Sequence, residues 1–504
     1  MRRAVPLLLA CLVAFVPLVS PAPAAPEPTE APAAHAPRAT DVTRYGPAYR
    51  YPQAGWNVVH IEGAPYDRGY QHGRLMAKEI AAYVRMLSTE RSAKAPADGW
   101  RGARQLVNAT LLRQIDKEFL EEMKGIAEGA TDAGASYGER DIDLLDVAVL
   151  NCWMELETLD SALDATLTGL EKKKFDRPGL PRAPLPRSAV PPPPKKGPGD
   201  CTAGAGGAPL PRPVKKDHCS AFIATGPATA DGKIVFGHIT MAGLTSGGFV
   251  NVWLDVQPKA GHRFAMQAFP GAVWSSQDYY MSAAGIVLCE TTIDQTPFDP
   301  TGESLVSRSR KAIQYSNTID DVVKALGTKN NGLYANEWLI GDLKANEIAM
   351  FELGTKETRL WRSSKNQWFE GTKGFYWGNN NAKDLAVRIE AQPADSDEKP
   401  EKRVWEPDER DEAWLNFYKD NAGKIDGRLA RKAFCDEKLA LPHSLDAKYA
   451  TAAMAEKLST WATYGPPTGK PWKPTNEQKR DHPEIKELVP HPWTVLSSAA
   501  PPKR

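Results

Sequence analysis

Cys219 is the residue whose setting in the sequence most clearly calls for chemistry. It opens the alternating run Cys219-Ser220-Ala221-Phe222-Ile223-Ala224-Thr225, which reads as a strand. Just before it, the stretch from about Lys172 to Asp217 holds twelve prolines and a Gly-Ala tract. Such a composition buries no core and predicts an extended, protease-sensitive linker. Cleavage ahead of Cys219 would leave a thiol and a free α-amine on one residue held by a sheet. An amine with an ordinary pKa of about 8 then takes the proton of its own side chain, and no separate histidine is needed. The competing reading is a small buried cysteine at the start of a core strand.

Downstream, Asp231-Gly232 predicts a tight hairpin turn, and Lys233 to Thr240 returns as the partner strand. A two-residue turn sets His238 opposite Thr225, on the face of Cys219 but about 20 Å along the strand. Contact between the two then requires a bulge, for which Gly226-Pro227 is suited. Thr240 and Asn336 complete the candidate polar set. A histidine hydrogen-bonded within the sheet is the alternative for His238, and a loop amide capping a strand the alternative for Asn336.

The order of short motifs resembles the phospholipase B-like family of N-terminal nucleophile hydrolases, related to penicillin acyltransferase-like cysteine hydrolases. The matching pieces are Cys219-Ser220-Ala221, Gly237-His238-Ile239-Thr240, Phe269-Pro270-Gly271 with Ser275 to Tyr280, and Glu290-Thr291-Thr292. They continue with Tyr334 to Trp338, Tyr376-Trp377 with Asn381, and Asp446-Ala447-Lys448 leading to Gly465-Pro466-Pro467. Gly63 to Gly69 with Gln71-His72-Gly73 resembles the opening of the penicillin acyltransferase-like proteins. The resemblance implies an α+β fold, an αββα sandwich of two antiparallel sheets flanked by helices. It implies a precursor that cuts itself before Cys219 and then cleaves an acyl amide or ester through a thioester. Cys219 is the implied nucleophile, Asn336 the oxyanion donor, His238 an orienting neighbour and Thr240 a similar one. Ile239 and Met241 stand where relatives carry Asp and Trp, which bears on the pocket more than on the nucleophile.

Other signals point elsewhere less well. Gly134-Ala135-Ser136-Tyr137-Gly138 fits the G-x-S-x-G pattern, but that elbow needs a strand before the serine, and Phe119 to Ala133 reads as helix. A glycine-bearing turn between helices is the better reading. No H-E-x-x-H, P-loop or G-x-G-x-x-G occurs, so neither a metal nor another cofactor is implied. Tryptophans 253, 274, 338, 361, 368 and 377 suit a core rather than a pocket. Two rival functions stay open: an acyltransferase, and a non-catalytic secreted binding protein on the same fold.

The elements that must position these residues divide the chain. Arg2-Arg3, the apolar run Ala4 to Val19 and Ala22-Pro23-Ala24 form a signal-peptide pattern over 1–24, which predicts a secreted or periplasmic protein. Leu8-Leu9-Ala10-Cys11 also fits a lipid-attachment box, but the apolar run continues past the cysteine. A disordered leader (25–45), a helical part (46–171), the linker (172–218), a mixed body (219–490) and a tail (491–504) follow. Helical periodicity runs from Tyr66 to about Gly138, and Tyr449 to Trp461 predicts a late helix. Five cysteines follow the signal peptide, an odd number that leaves at least one thiol unpaired. With 63 Lys plus Arg against 62 Asp plus Glu, no basic surplus exists for nucleic acid, and no further stretch has the length of a membrane span. The expected partner is a small acyl amide or lipid ester.

Overall fold

Two runs of sheet-forming residues, one on each side of the linker, build a common core. The computed structural model describes residues 41–159, 162, 219–293, 295–391, 404–483 and 485–499. The expected signal peptide, nearly all of the leader, the linker, Cys11 and Cys201 lie outside the described residues.

Before the linker come strands β1 (Thr43–Tyr45), β2 (Ala48–Gln53) and β3 (Trp56–Gly63), then helices α1 (Pro65–Arg91), α2 (Pro96–Thr110) and α3 (Lys117–Asp132). A two-stranded ribbon, β4 (Ser136–Tyr137) with β5 (Arg140–Asp141), and helix α4 (Leu144–Asn151) follow. After the linker, β6 (Cys219–Ala224) and β7 (Val235–Thr240) enter a six-stranded sheet. Its other members are β15 (Phe375–Gly378), β16 (Asp446–Thr451), β17 (Ser459–Tyr464) and β18 (Thr494–Ser497), in the order β15-β6-β7-β16-β17-β18. Strands β8 (Val252–Pro258), β9 (Phe264–Ala268), β10 (Tyr279–Ser282), β11 (Ile286–Thr292), β12 (Asn336–Asp342), β13 (Glu347–Leu353) and β14 (Thr358–Arg362) continue β1-β2-β3 into a ten-stranded sheet.

Three apolar layers hold these sheets. Val58, Ile223, Phe236, Trp253, Met281 and Leu339 pack between them. Ile80, Val84, Ile126, Val147, Leu254 and Leu288 join α1, α3 and α4 to the outer face of the larger sheet. Phe222, Trp377, Trp414, Phe434 and Tyr449 join the smaller sheet to helices Glu409–Asn421 and Gly427–Ala433. The order is therefore helix, sheet, sheet, helix, the αββα sandwich expected from the sequence. Each fully buried side chain of this size contributes about 1.5–3 kcal/mol. One pairing departs from the antiparallel expectation: β3 runs parallel to β8 from Asn57↔Val252 to Gly63↔Pro258. The two strands come from opposite sides of the linker, and a parallel pair needs such a long crossover.

Three local expectations are corrected. Residues 446–464 form strand, a single helical turn (Ala452–Ala455) and strand rather than one helix, because both faces of β16 are covered and alternation prevails over helical propensity. The part before the linker is not only helical but supplies three strands, the first beginning at Thr43 within the supposed leader. Ser136, as read from the sequence, follows a helix and makes no nucleophile elbow; it is exposed in the short ribbon between α3 and α4. The hairpin turn between β6 and β7 is wider than two residues, with the 3-10 turn Gly226–Ala228 inserted, and Ala224 pairs with Val235.

Helices α1 and α3 cross at backbone contact. A methyl group on Gly73 would meet the carbonyl oxygen of Ile126, and one on Gly125 would meet that of Tyr66. The Arg68, His72 and Gly73 segment that resembled an acyltransferase opening thus serves this crossing: Arg68 pairs with Glu118 at 2.9 Å and Glu122 at 2.6 Å, and the His72 ring accepts from Gly271 N–H. We expect Gly73→Ala to lower stability by about 1–3 kcal/mol through overpacking. The check is the urea midpoint, with Gly102→Ala in α2, where a methyl meets nothing within 4 Å, as the neutral or stabilising control.

Candidate active site

Register determines which side chains meet. Cys219 pairs with Thr240 and Ala221 with His238, so His238 stands two residues from the level of Cys219 rather than six. Alternation turns Cys219, His238 and Thr240 toward the other sheet, alongside Ile223 and Phe236. Lys448 of β16 lies opposite His238, and its ammonium donates to His238 Nδ1 (3.0 Å), Thr240 Oγ1 (2.8 Å) and Asp446 Oδ1 (2.7 Å). Gln267 of the larger sheet donates to the second oxygen of Asp446 at 2.7 Å. His238 Nε2 donates to the backbone oxygen of Glu290 at 3.0 Å. Both imidazole nitrogens are therefore committed, and burial together with the Lys448 charge drives the histidine pKa well below its ordinary value. His238 is a neutral link between sheets, not a free base.

The main chain of Cys219 is held by side chains. Its N–H donates to Asn380 Oδ1 at 3.0 Å, and its carbonyl accepts from Arg410 at 2.6 Å. Arg410 also reaches Asn380 Oδ1, at 3.1 Å, and the Asn380 amide donates to Thr292 O at 3.0 Å. Asn380 has φ of 67°, a left-handed conformation that asparagine tolerates better than most residues. Neighbouring Asn381, singled out by motif, instead donates to Asp411 at 2.7 Å.

The thiol is buried, 3% exposed, and lines a cavity of about 510 Å³. Burial raises its pKa well above the ordinary thiol value, the charges of Glu290 and Asp278 add to the rise, and Lys448 and the Met241 backbone N–H oppose it. Tyr83, Leu87, Leu150, Met154, Met241 and Val250 supply much of the apolar wall. Of the two departures from the family pattern, Met241 lines this cavity, while Ile239 packs into the outer helix-side layer. The six tryptophans noted in the sequence do not line it; Trp153 and Trp472 do. A cavity of about 580 Å³ beyond Thr245, bounded by Met86, Phe249, Tyr464 and Leu488, does not include Cys219.

Beside the thiol, Asp278 and Glu290 are buried carboxyls. Tyr334 donates to Asp278 Oδ2 at 3.2 Å, and Asp278 and Tyr334 both adopt left-handed backbone, with φ of 57° and 53°. Such conformations cost on the order of 1–3 kcal/mol each and collect at functional sites. Burial raises the Asp278 pKa from 3.8 to about 6. It raises that of Glu290 well above the carboxylate range, with the Asp278 charge adding to the rise. Asn336 does not line the cavity; it shares the strand face of Trp338 and Ile340. Its amide lies near enough to Glu290 to favour the ionised carboxylate, yet neither amide atom makes a hydrogen bond of ordinary geometry. The structure thus brings Cys219, His238 and Thr240 together and puts Asn336 beside Glu290, one of the two carboxyls whose charge acts on the thiol. Sequence reasoning gave no role to Asn380, Arg410, Lys448, Asp278 or Glu290. The i, i+2 spacing of Asp446 and Lys448 was the available signal, since on a strand it puts both charges on one face.

Among the described residues no cluster of His, Cys, Asp and Glu has the arrangement of a metal site, and no helix is long and apolar enough to cross a membrane.

A family model described as Phospholipase B matches residues 104–365. An uncharacterized protein of Archaeoglobus fulgidus is 27% identical over 309 residues, 58% of this chain and 42% of its own length. The putative phospholipase B-like 3 of Caenorhabditis elegans is 28% identical over 179 residues, 32% of this chain and 29% of its own. The matched stretches thus span less than half of either relative. Among solved structures, the Caenorhabditis elegans ortholog of N-acylethanolamine-hydrolyzing acid amidase overlays with a TM-score of 0.33 at 9% identity, covering 46% of this chain and 93% of that one. A mutant form of conjugated bile acid hydrolase from Clostridium perfringens gives 0.30 at 10% identity, covering 48% and 88%.

The contacts around Lys448 and Asp278 are open to test by substitution. Lys448→Met leaves the Asp446 carboxylate buried without its cation and should cost about 3–5 kcal/mol, read by chemical denaturation. Because folding raises the Asp278 pKa, the folded chain binds the proton more tightly than the unfolded one. The stability penalty is absent below 3.8 and complete above about 6. Asp278→Asn should therefore raise stability at pH 7.5 by about 3 kcal/mol and change it little at pH 4. Denaturation midpoints at the two pH values decide it.

Proposed function

The chain belongs to the phospholipase B family, and on that premise we propose that it is a secreted, self-processing cysteine hydrolase that cleaves an acyl amide or ester through a thioester. The observation that carries this reading is the setting of Cys219. Its thiol faces a largely apolar cavity, while its own backbone N–H and C=O are gripped by Asn380 and Arg410. Any buried backbone N–H and C=O needs a partner, but a cysteine that only filled space would not present its thiol to a cavity.

In the uncut chain the nitrogen of Cys219 is an amide and offers no base. That agrees with a thiol held protonated by burial and nearby carboxyls. Self-cleavage begins when the sulfur adds to the His218 carbonyl carbon and its proton passes toward the nitrogen. The C–N bond then breaks, leaving a thioester and a free amine. Water hydrolyses the thioester, which releases the His218 carboxylate and restores the thiol. In the mature enzyme the amine, still within reach of Asn380 Oδ1, takes the thiol proton as sulfur attacks the substrate carbonyl. The leaving amine or alcohol receives that proton, and water then frees the acid. The roles proposed are Cys219 as nucleophile, its amine as base, and Asn336 as oxyanion donor, supported by its buried and unpaired amide. His238 and Thr240 act as positioning groups through Lys448. The apolar wall suits the acyl chain.

Intact masses under denaturing conditions test the processing. Wild type should give two chains, the larger starting at Cys219, and Cys219→Ala a single chain. An uncut wild type whose Cys219 resists alkylation would sink the proposal. Asn336→Ala should slow turnover about 10²- to 10³-fold while the mature thiol stays alkylatable; an unchanged rate would remove Asn336 from the oxyanion role.

A further inference from the structure

The charge of the cavity that holds Cys219 is one-sided. Among the described residues lining it, the carboxyls are Glu90, Glu157 and Asp278, the one imidazole is His443, and there is no lysine or arginine. Lys448, the cation that acts on the thiol, is outside the lining and committed to Asp446, Thr240 and His238. Glu90 accepts from the Thr245 hydroxyl and stands 3.6 Å from His482. Glu157 accepts from Trp153 Nε1 at 3.1 Å, which holds a carboxylate at the edge of an indole ring, and Tyr83 and Trp472 add two more rings. Aromatic faces beside carboxylates attract cations.

A second observation comes from satisfaction of polar atoms. Gln277 Oε1, in a residue 6% exposed, is a buried acceptor in the same wall with no hydrogen-bond partner, while the Asp278 carboxyl, 1% exposed, is shared between Tyr334 and Glu290. Buried acceptors left unpaired carry a penalty that a donor-bearing ligand relieves. An anionic group would leave Gln277 Oε1 unmatched and add repulsion from the three carboxyls of the lining, whereas an ammonium N–H satisfies it.

We propose that this cavity selects acyl compounds whose other end carries a positively charged amine and disfavours those bearing a phosphate. The inference rests on the hydrolase reading above only in calling the ligand a substrate. Discrimination arises as much from rejection of the wrong charge as from attraction of the right one.

Binding is measured by calorimetry in Cys219→Ala protein, where no turnover intervenes, with octylammonium and octyl phosphate as probes of equal chain length at pH 7.5. Octylammonium should bind at least about tenfold more tightly. The preference should fall to near parity in a Glu90→Gln, Glu157→Gln double variant, both positions being exposed and tolerant of change. Asp278→Asn should weaken octylammonium while leaving octyl phosphate unchanged or improved. Equal or tighter phosphate binding, no binding of either probe, or a preference unmoved in the double variant overturns the inference. Trapping of an acyl-thioester on wild-type Cys219 with a neutral activated ester reports on the hydrolase reading by itself, so the two can fail separately.

Discussion

One buried ammonium governs the geometry around the thiol. Lys448 is 1% exposed, and a charge so placed must be met by fixed partners. Its three acceptors come from β7 and β16, and through Asp446 it reaches Gln267 on the opposite sheet. A slip of β7 by one residue would turn His238 and Thr240 into the outer apolar layer and leave the ammonium without them. The register that puts Thr240 opposite Cys219 is thus enforced by an electrostatic demand, where packing of small side chains such as Ala221 and Gly237 would enforce it weakly.

Around that centre the uncut chain stores both electrostatic and conformational tension. The thiol is protonated, His238 is neutral, and two carboxyls crowd beside them with raised pKa values. Asp278 and Tyr334 add unfavourable backbone conformations and are hydrogen-bonded to each other. Perturbed titration and local strain gather here, on the wall of one cavity, which is how a site differs from the rest of a core.

Much of the fold was legible in the sequence. Strand β6 was read within one residue of its observed bounds and β7 within two, because their apolar runs are uninterrupted. The helix expected over Tyr449 to Trp461 failed because its alanines favour helix locally while burial on both faces of β16 requires strand. The hairpin register failed because Asp231-Gly232 was read as the whole turn, although Gly226-Pro227 adds a second one. Of the candidate site, the strand position of Cys219 was legible, as were His238 and Thr240 as its neighbours. Asn380, Arg410 and Asp278 were not, since their partners lie tens to hundreds of residues away and no local pattern encodes such distant contacts.

The parallel ladder between β3 and β8 bears on assembly. His60 and Asp255, joined at 2.6 Å across it, stand 195 residues apart in the chain, so closing this ladder carries a large loop entropy. Neighbouring antiparallel strands pair over short loops and have every reason to form first, which makes the ladder a late, order-sensitive step. Once seven residues on each side are paired and α1 and α3 are packed over them, the peptide connection has done its work. The covalent chain serves as a tether that raises the local concentration of one half for the other. Each part supplies strands that the other completes, so the larger sheet belongs to neither alone.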